Sequence, residues 1–371
     1  MSHIVYVRAA NIYNDSRATK EILALAEYGH NVTVLSWNRD GKDLEKCPSI
    51  FQTYSNSVQF YFFNKPLPNG LGMKNIDKLI AWIFWIKTTL TCLPQIDAIH
   101  ACNLDGGLGV YRFCKKNKIK LIYDIFDYYV DSHTLPSLIK PLVEKLEVEA
   151  INLSEITIIC TEERKQQIVK ADPREVIVIH NSPAVDYVSD IPISCDYVYC
   201  GSFGEKRLLK EILDIYPLNC DLCFEFAGYG EFSKNAKLLS ERYPKFHFGG
   251  SISYDEVLQL QASSLCISAI YEPSIRNHQL CAPNKFYEAL ALRKPIIVCR
   301  GTGIDSIVEK NNIGIVIDYS AEEFYKAVRF LKANPCIVQQ QGLNARKLYE
   351  EEYSWSLMKK RLIDAYMRLL L

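Results

Sequence analysis

The segment Tyr271 to Leu292 holds the densest set of groups able to do chemistry. A polar loop carrying Asn277 and His278 runs into Pro283-Asn284-Lys285, and Glu288 follows three residues after Lys285. If a helix opens at Pro283-Asn284 with Asn284 as its cap, Lys285 and Glu288 share one face of its first turns, where free N–H groups and the helix dipole attract anions. An ammonium there can neutralise a phosphate, and a carboxylate can accept from sugar hydroxyls such as a ribose diol; in isolation the same pair is equally an exposed ion pair at a helix start. A second candidate is Gly201-Ser202-Phe203-Gly204-Glu205-Lys206-Arg207. Its small residues let backbone approach a ligand, and Arg207 or Lys206 can pair with a diphosphate. Gly228-Tyr229-Gly230 forms a third, a tight turn against which a planar base can rest.

In the first half, Asn14, Asp15 and Arg17 follow the first apolar run, and Asp124, Asp127 and Asp131 follow KLIYDI. Three carboxylates can hold a metal, act as a base or serve as caps. With no DxD run to clamp a metal diphosphate, base, orienting or structural roles are favoured and no metal or other cofactor is expected. His100, His180 and His278 lie at or beyond strand ends, where a lone histidine is more often a satisfied polar group. Cys220 and Cys223 form a lone close pair without the second pair a zinc site needs.

Groups of this kind must be carried by strand ends and helix starts. Apolar, β-branched runs at 3–7, 31–36, 58–63, 98–102, 120–125, 155–160 and 175–180 alternate with helical patterns such as Arg17 to Tyr28 and Ser137 to Leu153. Alternation resumes at 197–202, 223–228, 246–250, 264–270, 295–299 and 313–317, after a proline- and aspartate-bearing break at 181–196 that reads as a linker. The expected fold class is α/β, with two Rossmann-like doubly wound domains facing across a cleft, the ligand lying at the carboxyl ends of the strands.

The 371 residues suit about two to three domains. Forty-three Lys+Arg against 43 Asp+Glu leave no basic field, so nucleic acid is not an expected partner. The chain starts directly on a strand with no signal-peptide pattern, and its 13 cysteines are expected to be free thiols in a reducing cytoplasm. The aromatic content, 12%, exceeds what a core alone calls for, so some rings are expected at a ligand or partner surface. The longest apolar run, Leu79 to Ile86, is too short to span a bilayer but has Lys74, Lys78 and Lys87 around it and carries Trp82 and Trp85. Residues 79–90 are therefore a candidate peripheral membrane surface as well as a candidate buried helix.

Taken together, DSRATKEILALAEYGHNVTVLS, the run from Asp97 to Asp131, YVYCGSFGEKRLLKEIL, FEFAGYGE and PNKFYEALALRKPIIV resemble the retaining, nucleotide-sugar-dependent glycosyltransferases of the GT-B fold, the family-four type of bacterial polysaccharide assembly. The resemblance covers nearly the whole chain. It implies an acceptor-binding domain over 1–185, a donor-binding domain over 186–352, and a closing helix at 353–371 that returns to the first. It also implies that Arg207 and Lys285 hold the diphosphate of a UDP- or GDP-linked sugar, that Glu288 and Asn284 serve the ribose and helix-start side, and that Gly228 and Tyr229 lie by the base. Gly201 and Ser202 would line the phosphate side. Asn14, Asp15, Arg17, Phe126, Asn277 and His278 would face the sugar and acceptor, with Asp127 orienting the acceptor hydroxyl.

Two departures stand out. Leu280 occupies the place of the first glutamate of the family's E-x7-E pair, a role left to Glu272 or to backbone N–H groups of the 275–283 loop. Phe126 occupies the place of the signature histidine, which implies a more apolar sugar pocket suited to a deoxy or acetamido donor. The expected activity is metal-independent transfer of a sugar, with retention, to a glycan or lipid-linked acceptor, in the cytoplasm or at the inner face of its membrane. A sugar-nucleotide epimerase, a two-domain sensor and an inactive nucleotide-sugar-binding relative share the same architecture.

Overall fold

The computed structural model describes residues 1–41, 49–67, 75–185 and 191–371, apart from the Asn14 side chain; Lys74 and residues 186–190 of the expected linker lie outside the described residues. Every apolar run read as a strand forms one. In the first half these are β1 (His3–Arg8), β2 (Asn31–Asn38), β3 (Val58–Asn64), β4 (Ala98–Cys102), β5 (Lys120–Ile125), β6 (Ile156–Ile159) and β7 (Val176–Val178). They make one parallel sheet in the order β3-β2-β1-β4-β5-β6-β7. The second half contributes β8 (Cys195–Phe203), β9 (Phe224–Gly230), β10 (Phe246–Phe248), β11 (Ser264–Ala269), β12 (Ile296–Cys299) and β13 (Gly314–Ile317). These form a second parallel sheet in the order β10-β9-β8-β11-β12-β13. Strands buried on both faces need continuous apolar runs, and this chain supplies them. In each sheet the winding direction reverses beside the first strand, between β1 and β4 and between β8 and β11, and such switch points open a crevice at the carboxyl ends.

The chain divides into two compact units, Met1–His180 with Met358–Leu371, and Asn181–Leu357. In the first, the helix Trp355–Leu370 brings Tyr366 inside, where its hydroxyl meets His100 Nδ1 at 2.8 Å.

Three expectations change. The linker reading runs too far, because Cys195 and Asp196 already belong to β8; the Asp196 carboxylate accepts from the Cys223 backbone N–H at 2.8 Å and from Lys332 at 2.7 Å, so a charged residue sits within a strand. The helix expected from Ser137 starts at Lys140, since residues 136–139 form a turn closed by Ile139 N–H on Pro136 O, and Pro141 sits in the first turn where no donor is needed. The aromatic excess is mostly core. Tyr197, Tyr216, Phe224, Phe226, Phe246 and Phe324 are buried together in the second unit, largely in edge-to-face contacts.

In the first unit, Trp82 is fully buried, stacked on Trp37 and Trp85, with its indole N–H donating to Asp105 O at 2.9 Å. It is therefore not part of any surface, and the helix Ile76–Cys92 instead exposes Ile76, Ile80 and Phe84. No helix among the described residues is long and apolar enough to cross a membrane.

Candidate active site

At the switch point of the second unit, β8 ends in Gly201-Ser202-Phe203 and β11 leads into Tyr271. The backbone after β8 is unusual: Lys206 and Leu208, two non-glycine residues two apart, adopt φ of +64° and +59°, conformations that residues with side chains seldom take. Between them stands Arg207, half-buried, its guanidinium carbon 5.1 Å from the Tyr271 ring centre and its Nη1 donating to the Tyr271 hydroxyl at 3.4 Å. Glu272 N–H donates to Lys206 O at 3.0 Å, which ties the two loops together.

Lys285 reaches the same place from the helix Asn284–Ala291. Its ammonium lies 4.7 Å from the centre of the Tyr199 ring, whose own hydroxyl donates to Ser202 O at 2.8 Å. Gly201, at φ +147°, is what makes room: a Cβ there would lie 2.8 Å from Lys285 Nζ. A Cβ on the neighbouring Gly228 would fall 1.8 Å from Gly201 O, so both strand ends depend on glycine. Burial lowers the Lys285 pKa, but Tyr199, Tyr271 and Glu288 together raise it above its ordinary value, leaving the ammonium charged. Among the described residues neither Arg207 nor Lys285 has a carboxylate within ion-pair distance. Two adjacent cations held against tyrosines, with no carboxylate in ion-pair contact among the described residues and only Glu288 acting on Lys285 from further along its helix, constitute a site for an anion with at least two charges.

The cap expectation needs correcting. Pro283, with φ −70° and ψ 135°, occupies the cap position and Asn284 is the first helical residue, exposed. Proline fixes φ and needs no donor there, which pushes Asn284 one place inward. Glu288 is 4% exposed and accepts from Gln261 Nε2 at 2.8 Å, and its carboxylate also bonds the Tyr254 hydroxyl. Two neutral donors orient it without neutralising it. His278 Nδ1 lies 3.0 Å from Glu272 O, so that nitrogen carries the proton, and burial lowers the ring's pKa; Nε2 is thus left as an acceptor. The Asn277 side-chain oxygen is buried. Leu280 is buried at the end of the loop, and the Glu272 carboxylate accepts from Ser274 at 2.7 Å. A groove of about 530 Å³ runs beside β9 and β10, its walls including Phe226, Ala227, Phe248 and Ile252. Tyr229 extends into solvent.

The first unit has a different electrostatic character at its switch point. Arg17 is buried, its Nη2 on both Asp124 oxygens at 2.8 and 3.1 Å, its Nε 3.1 Å from Glu21, and its Nη1 on Ile179 O at 2.7 Å. His100 Nε2 lies 3.3 Å from Asp124, and the Tyr6 hydroxyl donates to Glu21 at 2.6 Å. Burial and the Asp124 charge push Glu21 up, while Arg17 and His100 outweigh burial and keep Asp124 ionised. His100, Cys102 and Asp124 approach metal-ligand spacing, but the Arg17 guanidinium already neutralises that carboxylate. The Arg17 predicted to face an acceptor is thus engaged within the unit.

Asp15 caps the helix Ser16–Glu27 through Ala18 N–H and pairs with Arg8 Nε at 2.7 Å. The Phe126 ring stands against two guanidinium groups, Arg8 at 4.2 Å and Arg17 at 4.7 Å. Asn103, at φ +56°, clamps this turn, its side-chain oxygen accepting from Phe126 N–H and Asp127 N–H at 2.8 and 3.2 Å. Asp127 is exposed and lies 3.3 Å from Arg164. His180 is pushed down to about 4, mainly by burial and by Arg361. Arg8, Asn103, Tyr199 and Tyr271 carry no motif; only their positions at strand ends could have drawn notice to them.

Residues 196–334 match the family model described as glycosyl transferases, group 1. Over essentially the whole chain the fold matches GT-B structures. Sucrose-phosphate synthase from Thermosynechococcus elongatus aligns at 14% identity and a TM-score of 0.73, over 100% of this chain and 99% of that one. HepE from Anabaena, determined with UDP and glucose, aligns at 14% identity and 0.69, over 99% and 100%. TarM from S. aureus, determined with UDP, fondaparinux and α-GlcNAc-glycerol, aligns at 12% identity and 0.67, over 100% of both. No curated protein sequence matches. The resemblance to GT-B glycosyltransferases therefore holds for the fold throughout and for the family over 196–334.

Proposed function

We propose that the chain transfers a sugar from a nucleoside-diphosphate sugar to a glycan or lipid-linked acceptor, with retention of configuration. The observation that carries this is the pair Arg207 and Lys285, two cations at one switch point with no ion-pair partner among the described residues, where a diphosphate supplies one. Glu288, held by Gln261 and Tyr254, accepts from the ribose hydroxyls. The base lies by Gly228 against the apolar groove wall, and His278 Nε2 accepts from a sugar hydroxyl.

Transfer passes through an oxocarbenium-like state, and the departing diphosphate needs its growing charge stabilised. Arg207 and Lys285 do this without a metal. Asp127, exposed at the end of the turn after β5, orients the acceptor hydroxyl, while Phe126 beside Arg8 shapes the sugar pocket. A similarity to enzymes determined with UDP supports a uridine nucleotide first and a guanosine nucleotide second. The helix face formed by Ile76, Ile80 and Phe84, followed by exposed Lys87, suits a peripheral contact with a membrane bearing the acceptor, at the cytoplasmic side and in cell-surface polysaccharide assembly.

A thermal-shift screen against UDP-, GDP-, ADP- and dTDP-sugars identifies the donor, because a ligand of the folded state raises the melting temperature. With that donor, Lys285→Ala lowers transfer roughly 100-fold, the cost of removing one charged donor to a developing oxyanion. Unchanged turnover in Lys285→Ala would refute the site.

A further inference from the structure

We infer that the Tyr271 hydroxyl is a third ligand of the anion held by Arg207 and Lys285, a donor to the outer phosphate of the nucleotide diphosphate; this rests on the donor reading above. Tyr271 lies two residues beyond the end of β11, at the carboxyl edge where the sheet reverses, and is half-buried. Its oxygen accepts from Arg207 Nη1 at 3.4 Å, and among the described residues nothing accepts its own proton. A phenol with a cation on its oxygen and its hydrogen uncommitted is a polarised, neutral donor.

Tyr199 makes the contrast. It too stands under a cation, Lys285 at 4.7 Å, but its proton is spent on Ser202 O at 2.8 Å. Tyr199 therefore shapes the loop, whereas Tyr271 retains a hydrogen bond to give. Its position is held from three sides. The Arg207 guanidinium lies over the ring, His278 packs 5.2 Å from it, and the Glu272 N–H to Lys206 O bond locks the adjacent backbone to the Arg207 loop. Burial raises the phenol's pKa although Lys285 and Arg207 pull it down, so it stays protonated at neutral pH.

When the sugar carbon–oxygen bond breaks, its electron pair remains on the phosphate oxygen. The acceptor oxygen bonds to the carbon and yields its proton to the departing diphosphate, while Tyr271 neither gains nor loses one. Its hydrogen bond strengthens because the phosphate gains charge.

Calorimetry on the full chain with UDP, GDP, ADP and dTDP and with their monophosphates tests this in the parent, Tyr271→Phe and Tyr271→Leu. Tyr271→Phe keeps the ring under Arg207, and is expected to bind the preferred diphosphate about tenfold more weakly while its monophosphate changes less than twofold. Tyr271→Leu, which also removes the ring, loses more. Equal diphosphate binding by Tyr271→Phe and the parent overturns the inference alone, as does an equal loss for diphosphate and monophosphate, which would mark a structural role. A parent that binds none of these diphosphates overturns the donor reading itself.

Discussion

Gly201→Ala separates two physical effects at one atom. The native φ of +147° is one that residues with a Cβ rarely adopt, so alanine strains the end of β8 by roughly 1–3 kcal/mol. In a unit of this size each kcal/mol is worth about 2–4 °C in melting temperature. The new Cβ would also sit 2.8 Å from Lys285 Nζ, and the flexible ammonium is the group that gives way. If it retreats from about 3 to about 4 Å from a phosphate oxygen at an effective dielectric near 20, the attraction falls from about 5.5 to about 4.1 kcal/mol. The difference, about 1.4 kcal/mol, is a tenfold loss of diphosphate affinity. Gly204→Ala is the control, since a Cβ there meets nothing within 4 Å and its φ is not in the positive range. Calorimetry with the preferred nucleoside diphosphate and a melting curve read the two effects. Gly201→Ala binding as tightly as the parent, or Gly204→Ala being equally damaging, would refute the placement of Lys285.

Glu288→Ala should remove most transfer while the unit stays folded, and the loss should be smaller with a 2′-deoxyribose donor, in which the carboxylate has fewer hydroxyls to hold; transfer assays on both donors check it. Glu147 is pushed up to about 8, chiefly by burial, while it accepts from Tyr129 N–H and the Tyr123 hydroxyl. Its folded pKa exceeds the unfolded value, so its contribution is full below pH about 4.5 and fades as pH rises through 8. Glu147→Gln should therefore flatten the fall in melting temperature between pH 5 and 8 and exceed the parent at pH 8; parallel curves would count against it. Phe126→His places a titratable ring between Arg8 and Arg17 and should change the ranking of donor sugars in a competition assay. Ile80→Ser with Phe84→Ser should reduce flotation with anionic liposomes, whereas Trp82→Ser should instead lower the melting temperature, since Trp82 is wholly interior.

Much of the fold was legible because it rests on local rules. Continuous apolar runs such as KLIYDI and PIIVC can bury both faces only in a parallel sheet, and thirteen such runs separated by helical patterns leave little choice of class. The aspartate in β8 misled because charge within a strand depends on distant partners, here Cys223 and Lys332. The stretch around Trp82 misled because composition marks a helix as apolar without saying which side faces inward.

By itself the sequence determined two doubly wound sheets and the types of charge at their carboxyl ends, with Arg207, Lys285 and Glu288 in register near helix starts. Only the tertiary structure decided which of those charges are already answered. Arg17 is neutralised by Asp124 and Glu21, while Arg207 and Lys285 rest on Tyr271 and Tyr199 with no carboxylate within ion-pair distance among the described residues. The reason is physical. Strand and helix periods arise from neighbours in the chain, but whether a charge is satisfied depends also on distant groups brought within hydrogen-bond reach by folding, as Asp124 is to Arg17 and Tyr271 to Arg207, 107 and 64 positions away.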